Sequence, residues 1–426
     1  GAPAADDPET VFARVFPGEK FDRHKWNRLL SDLNHCIGEF LAVRRLQTDA
    51  DLYRQALVDV FFEQENEDLF QQAVNASLPD TDDETYLEKT EDWQIRFRTR
   101  KRAMTYPLTN RLKLLPNAFD QLEDDLDRYY LISKLQFACN RASDARLLRD
   151  AEKKGYFTRL LEQSAYADPE GKSTLLGLYR ALLELLLERD MDFATFFTLL
   201  QQQGPKVAGH EQEALVRLSM NYCIARYRQG NKKAIGWCRQ LFLWVGQQKA
   251  ASLAAAEELY LNLGVLLAKT KNFREFEVFL KTRKKIIPAD RQEQAHNLLT
   301  AFYHFYREAF VSAAQALIRV DTRHPRYALL THSLRVRNTY SLWRASLATL
   351  QTLHLDLQRF GEFLDRQKTF SEPVCQLYRE LIWFIRKMGE AETNPAITAE
   401  LLLKELNRRQ PAVRDWVESM IDRLPG

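Results

Sequence analysis

The chain has 426 residues, 45% of them apolar and 28% charged, with only 15 Gly and 14 Pro. Aromatic residues at 11% exclude a disordered chain, and such scarce glycine and proline argue against sandwiches, barrels and propellers, which turn tightly at every strand connection. The net charge of +3 hides a split: residues 1–200 carry 27 basic against 36 acidic side chains, and residues 201–426 carry 34 against 22.

Helix punctuation runs along the chain. Asp7-Pro8-Glu9 reads as N-cap, first-turn proline and first-turn acid, and Pro17-Gly18 ends that helix. Trp26, Leu29, Leu30, Leu33, Ile37, Phe40 and Leu41 then recur at three-and-four spacing, which predicts a long amphipathic helix. Thr48-x-x-Asp51 and Thr81-x-x-Glu84 have the form of capping boxes. Trp93, Ile95 and Phe97 alternate, but charged helical sequence surrounds them and a helix is expected. The basic cluster Arg96, Arg98, Arg100, Lys101 and Arg102 lies there, interleaved with aromatics as in single-strand nucleic-acid binders. Acidic residues precede it, and acids first with bases last also simply complement a helix dipole.

Gly171-Lys172-Ser173-Thr174 invites a phosphate-loop reading, yet Tyr166 holds the place of the required first glycine. Ser173 is better read as the N-cap of a leucine-rich helix. His210-Glu211 starts a zincin-like pair whose second histidine position is Ala214. His296/His304 and His324/His332 are each eight apart, a spacing that helical metal sites rarely use. Ser371 before Pro373 and Asn394 before Pro395 mark two further helix starts. The five scattered cysteines form no pair motif, which predicts buried thiols in a reducing, cytoplasmic setting. No apolar run is long enough to span a bilayer, and no export signal is expected at the start of the sequence.

After residue 210 the pattern repeats. Tyr260, Leu263, Gly264 and Leu267 share one helix face, Lys271-Asn272 marks a turn, and Phe273, Phe276 and Leu280 open a second helix before Pro288. Ala301, Ala313, Leu317 and Pro325 repeat the plan, and Cys223, Gly230 and Ala234 form a weaker copy. The intervals Gly264–Phe276, Ala301–Ala313 and Ser333–Ala345 are all twelve, and the whole unit recurs every 32 to 37 residues. Residues 257–288, with Tyr260, Leu263-Gly264, Leu267, Leu280 and Pro288, resemble the tetratricopeptide repeat. Phe276 departs from that motif, since it stands where the family prefers alanine. The resemblance implies an all-α fold: a right-handed α-α superhelix, a solenoid of helix hairpins, with a less regular helical N-terminal half. The division expected is 1–210 acidic and helical, 211–345 repeats, and 346–426 capping helices.

No nucleophile, metal or cofactor signature appears, so the expected role is non-enzymatic. If the hairpins stack as the resemblance implies, the first helix of each lines a groove that takes a peptide or helix of a partner. Asn262 and Lys269, beside an aromatic shelf of Phe302, Phe305 and Tyr306, are the candidate partner-binding residues. The same aromatics at helical spacing also suit a core. The basic C-terminal half favours an acidic partner segment, supplied by another protein or by a second copy. The alternatives are a nucleic-acid-associated helical protein that uses the 96–102 patch, or an enzyme of unrecognised class.

Overall fold

The computed structural model describes residues 7–78, 86–109, 117–143, 151–168, 171–247, 253–283, 287–392, 394 and 396–424. Among these the structure is all-helical and contains no strand. The chain divides into two compact units: residues 1–141 with 146–183, and residues 142–145 with 184–426. The 346–426 segment therefore shares a unit with residues 211–345.

The first unit holds α1 (Pro8–Val15), α2 (Arg23–Thr48), α3 (Ala50–Glu63), α4 (Glu67–Ser77), α5 (Thr90–Thr109), α6 (Ala118–Ala142), α7 (Ala151–Ala167) and most of α8 (Thr174–Leu186). Pro8 occupies the first turn of α1, although Asp7 makes no side-chain cap. The capping box expected at Thr48 is displaced by one residue. Thr48 stays helical and donates its hydroxyl to the Arg44 carbonyl, while the Asp49 carboxylate accepts from Leu52 N at 3.1 Å and starts α3. An aspartate satisfies the orphan amides of a first turn at least as well as threonine, so the neighbour wins. The Thr81 box lies outside the described residues. Helices α3, α4 and α5 close over Val58, Phe70, Ala73, Val74 and Tyr106, with Phe70 and Tyr106 stacked at 4.6 Å.

One buried carboxylate ties distant parts of this unit together. Glu88 accepts from Trp93 Nε1 at 2.7 Å, from the Ser173 hydroxyl at 2.6 Å and from Leu175 N at 3.1 Å. Ser173 in turn accepts from Leu176 N, so it is indeed the N-cap of α8. Burial pushes the Glu88 carboxyl above its usual range, against the pull of those three donors.

The second unit continues with α9 (Phe193–Gln203), α10 (Gly209–Arg228), α11 (Ala234–Val245), α12 (Leu253–Lys269), α13 (Phe273–Arg283), α14 (Gln292–Tyr306), α15 (Phe310–Ile318), α16 (Pro325–Arg344), α17 (Leu350–Arg366), α18 (Glu372–Ala391), α19 (Ala399–Arg408) and α20 (Arg414–Ile421). The hairpins α10–α11, α12–α13, α14–α15 and α16–α17 turn in the same way. Each first helix ends on a left-handed residue, at Gly230, Lys271, Glu308 and Ser346. In each, the next amide reaches back five residues, as in Asn272 N to Leu267 O and Ala309 N to His304 O. This is the Schellman cap, which satisfies the last carbonyls and reverses the chain.

The caps fall 37 to 41 residues apart, a longer repeat than the small-residue spacing suggests. That spacing holds for Ala301 and Ala313, both fully buried, and fails at Ala345, which is exposed at the end of the 20-residue α16. Gly264 is needed for close approach: a Cβ there would lie 2.6 Å from a Leu299 methyl on α14. Phe276 is accommodated by stacking on Tyr303 at 5.1 Å. The start expected at Asn394 falls later, where Thr398 caps α19 through Leu401 N.

Candidate functional site

Helices α10, α12, α14 and α16 are the first members of the four hairpins, and side chains of α12 and α16 contact α20, which itself packs mainly on α18 and α19. Lys269 of α12 forms an ion pair with Asp415 in the first turn of α20. Its ammonium also lies 5.8 Å from the Tyr227 ring of α10. The Asp415 charge reaches Tyr227 and Tyr306 as well, and contributes after burial to raising both phenols above their ordinary range. The next residue, Trp416, is 8% exposed and packs edge-on to Tyr340 of α16 at 6.0 Å. Arg344 closes the far end by donating to the Arg423 carbonyl at 2.9 Å.

Arg337 is the centre of this arrangement. It is 1% exposed, with its guanidinium 5.8, 5.3 and 5.9 Å from the rings of Phe302, Phe305 and Trp416. Its Nε donates to the Ser333 carbonyl at 3.0 Å, its buried Nη1 has no hydrogen-bond partner among the described residues, and its charge acts on the Tyr306 phenol. Three aromatic faces thus stand where a carboxylate usually stands beside a buried arginine. The helix α20 reaches this position through Val413, a β-branched residue held at φ 53°, with Ala412 N bound to Leu377 O. A β-branched residue in the left-handed region is strained, and only surrounding packing keeps it there.

The sequence-predicted partner-binding residues are distributed as follows. Phe302 and Phe305 are buried at 2% and 4% exposure, beneath Arg337. Tyr306 is half-buried against the same guanidinium, and Lys269 is engaged by Asp415. Asn262 lies two turns from Lys269 on α12. It lines a cleft of about 10 Å³, room for one water, with Glu213 and Arg217 of α10 and with Glu258. The residues that sequence reasoning missed are Tyr227, Arg337, Asp415 and Trp416. Arg337 carried a readable signal, as a charge on the apolar stripe of Leu334 and Tyr340.

The basic cluster of α5 is largely engaged within its own unit. Arg100 pairs with the buried Asp125 at 2.7 Å, Arg102 with Asp59 at 2.8 Å and Arg98 with Asp59 at 3.7 Å. Arg96 lies 5.0 Å from the Trp93 ring and Lys101 5.9 Å from Phe97. Of the histidines at eight-residue spacing, His332 stacks on Phe360 at 5.6 Å and Phe363 at 4.8 Å. Burial, aided by Arg335 and opposed by Asp356, brings its imidazole down to about 4. A folded-state value below the unfolded one stabilises the fold above the unfolded pKa of about 6.5, and the gain disappears as pH falls toward 4. The second unit is therefore expected to lose about 2–3 kcal/mol between pH 6.5 and pH 4 from this group. Urea titrations at both pH values check this: His332→Gln should flatten the difference.

No family model matches the chain, and neither curated proteins nor solved structures provide a match.

Proposed function

We propose that the second unit is a non-enzymatic interaction scaffold, a solenoid of tetratricopeptide-like hairpins whose groove binds a short helix of a partner protein. The carrying observation is that the first turn of α20, a helix packed mainly on α18 and α19, also reaches α12 through one ion pair and α16 through one aromatic anchor. Groove recognition of an amphipathic helix uses this combination: an apolar anchor in a pocket supplies affinity, and a charge fixes register. The strained Val413 and the eight-residue length of α20 lower the cost of freeing its first turn, while Val417 and Ile421 remain packed. The partner segment then carries an acidic residue followed by an aromatic one at a helix start, as Asp415-Trp416 does. Its positive counterpart is Lys269, with Arg337 beneath.

The in-cis pairing of Arg98, Arg100 and Arg102 supports the protein-binding reading over the nucleic-acid one. Cations already matched to carboxylates release fewer counterions from a phosphate backbone. Asp415→Lys places a cation against Lys269 and releases α20. A fluorescent peptide of residues 411–424 is then expected to bind the full-length variant at least about tenfold more tightly than wild type. Equal binding by both would remove the proposal.

A further inference from the structure

Helix α2 stands apart from every other helix of its length. It runs 26 residues, about 39 Å, and none of them is buried. Its ends are anchored: Trp26 packs near Phe12 and Phe21, and Leu46 is half-buried before α3 begins. Between them, residues 30–45 are all exposed. Leu30, Leu33, Ile37, Phe40, Leu41 and Val43 are 37% to 61% exposed, which leaves roughly 500 Å² of apolar side chain in water on one helix. That equals the largest patches soluble monomers carry, and such patches are usually binding sites. A solvated helix with Gly38 at its centre also lacks the packing on which helices mainly depend.

We propose that α2 is a self-association surface that pairs antiparallel with α2 of a second copy about a two-fold axis near residue 35. The spacing of Trp26, Leu30, Leu33, Ile37 and Phe40 is four, three, four, three, the seam of a left-handed coiled coil, with Arg44 next in the series. Antiparallel pairing about residue 35 sets Leu33 against Ile37 of the second copy, Leu30 against its Phe40, and Trp26 against its Arg44. Each layer joins unlike shapes, and the outermost brings a guanidinium to an indole. Parallel pairing in register would instead put Arg44 against Arg44 at the seam. The antiparallel pair also opposes the two helix dipoles favourably. Two such faces together remove on the order of 1,000 Å² from water, which meets the threshold for a specific interface.

Sedimentation equilibrium of the full chain should give a dimer that persists at high salt, because the seam is apolar. Ile37→Glu should weaken it by at least about 100-fold, since two carboxylates then enter the seam. Residue 37 is exposed within one chain, so at concentrations where wild type is itself monomeric the helical circular dichroism and thermal midpoint of this variant should match it. Cys36 supplies an orientation test, because it is exposed while the other four cysteines are buried. In the antiparallel pair the two Cys36 side chains flank the same side of the seam, so a short bis-maleimide should join them, and Cys36→Ser should abolish the product. A monomer at every concentration, or an Ile37→Glu chain that still dimerises, overturns the proposal. A dimer that is lost on Ile37→Glu but gives no Cys36 cross-link overturns the antiparallel arrangement.

Discussion

Replacing Glu88 by alanine is expected to destabilise the first unit by about 3–5 kcal/mol, the largest effect of any single polar substitution in that unit. The carboxylate accepts from an indole of α5, from the N-cap hydroxyl of α8 and from a first-turn amide of α8. Removing it leaves three buried donors without an acceptor, and each costs about 1–3 kcal/mol. It also removes a negative charge from the start of α8, where a helix dipole favours one. The expected fall in thermal midpoint is roughly 10 °C for a unit of this size. Glu88→Gln keeps an acceptor for two of the donors and should lose about half as much. Differential scanning calorimetry of both variants checks the ordering. An alanine variant within 1 kcal/mol of wild type would mean that the hub contributes little.

The second large effect is expected at Arg337. Arg337→Ala should cost the second unit about 3–5 kcal/mol, because a cavity opens where Phe302, Phe305 and Trp416 now converge. Arg337→Met fills the volume without the charge and should stay within about 1–2 kcal/mol of wild type, since a buried cation loses much of its attraction to desolvation. Arg337→Lys should resemble alanine more than methionine, because an ammonium cannot stack flat on three rings while holding the Ser333 carbonyl. Denaturant midpoints rank the three variants. If methionine proves as damaging as alanine, the guanidinium's hydrogen bond outweighs its packing. A secondary readout is the accessibility of Trp416, which should rise in the alanine and lysine variants as α20 loosens.

Much of the helical organisation was legible in the residues themselves. Pro8, Ser173 and the helix–turn–helix order of 260–317 mark boundaries that the structure retains, since proline geometry and cap hydrogen bonds act locally. The hairpin turns were only partly legible. Gly230 announces its left-handed cap, whereas Lys271, Glu308 and Ser346 adopt the same conformation without the residue type that signals it. The small core residues therefore give a shorter interval than the caps do. Ala345 shows why: α16 runs on to Arg344, so a twelve-residue step that crosses from α14 to α15 falls short of α17 there.

The candidate site was legible on one side only. Lys269 pairs with Asp415 of α20, 146 residues beyond it in sequence, and the Asp415 charge acts on the Tyr306 phenol. Nothing in the local pattern of Arg414–Ile421 tells an α20 docked in cis from an ordinary terminal helix, because docking depends on long-range packing. The face of α2 posed the opposite problem. Its three-and-four apolar spacing is that of a helix with one covered face, and only exposure reveals that the described residues supply no cover. The charge split has a similarly physical outcome: part of the basic excess after residue 200 is spent on Lys269 and Arg337, which hold α20 in place.

The central claim is that the groove of α12, α14 and α16 recognises an acidic, aromatic helix and that α20 occupies it in cis. Anisotropy of a labelled peptide of residues 411–424 against wild type, Asp415→Lys and the double variant Lys269→Glu with Asp415→Lys tests it most directly. The expected result is binding to the single variant alone, because the double variant restores an ion pair of reversed sign and closes the groove again. Binding of equal strength to all three, or to none, would contradict it.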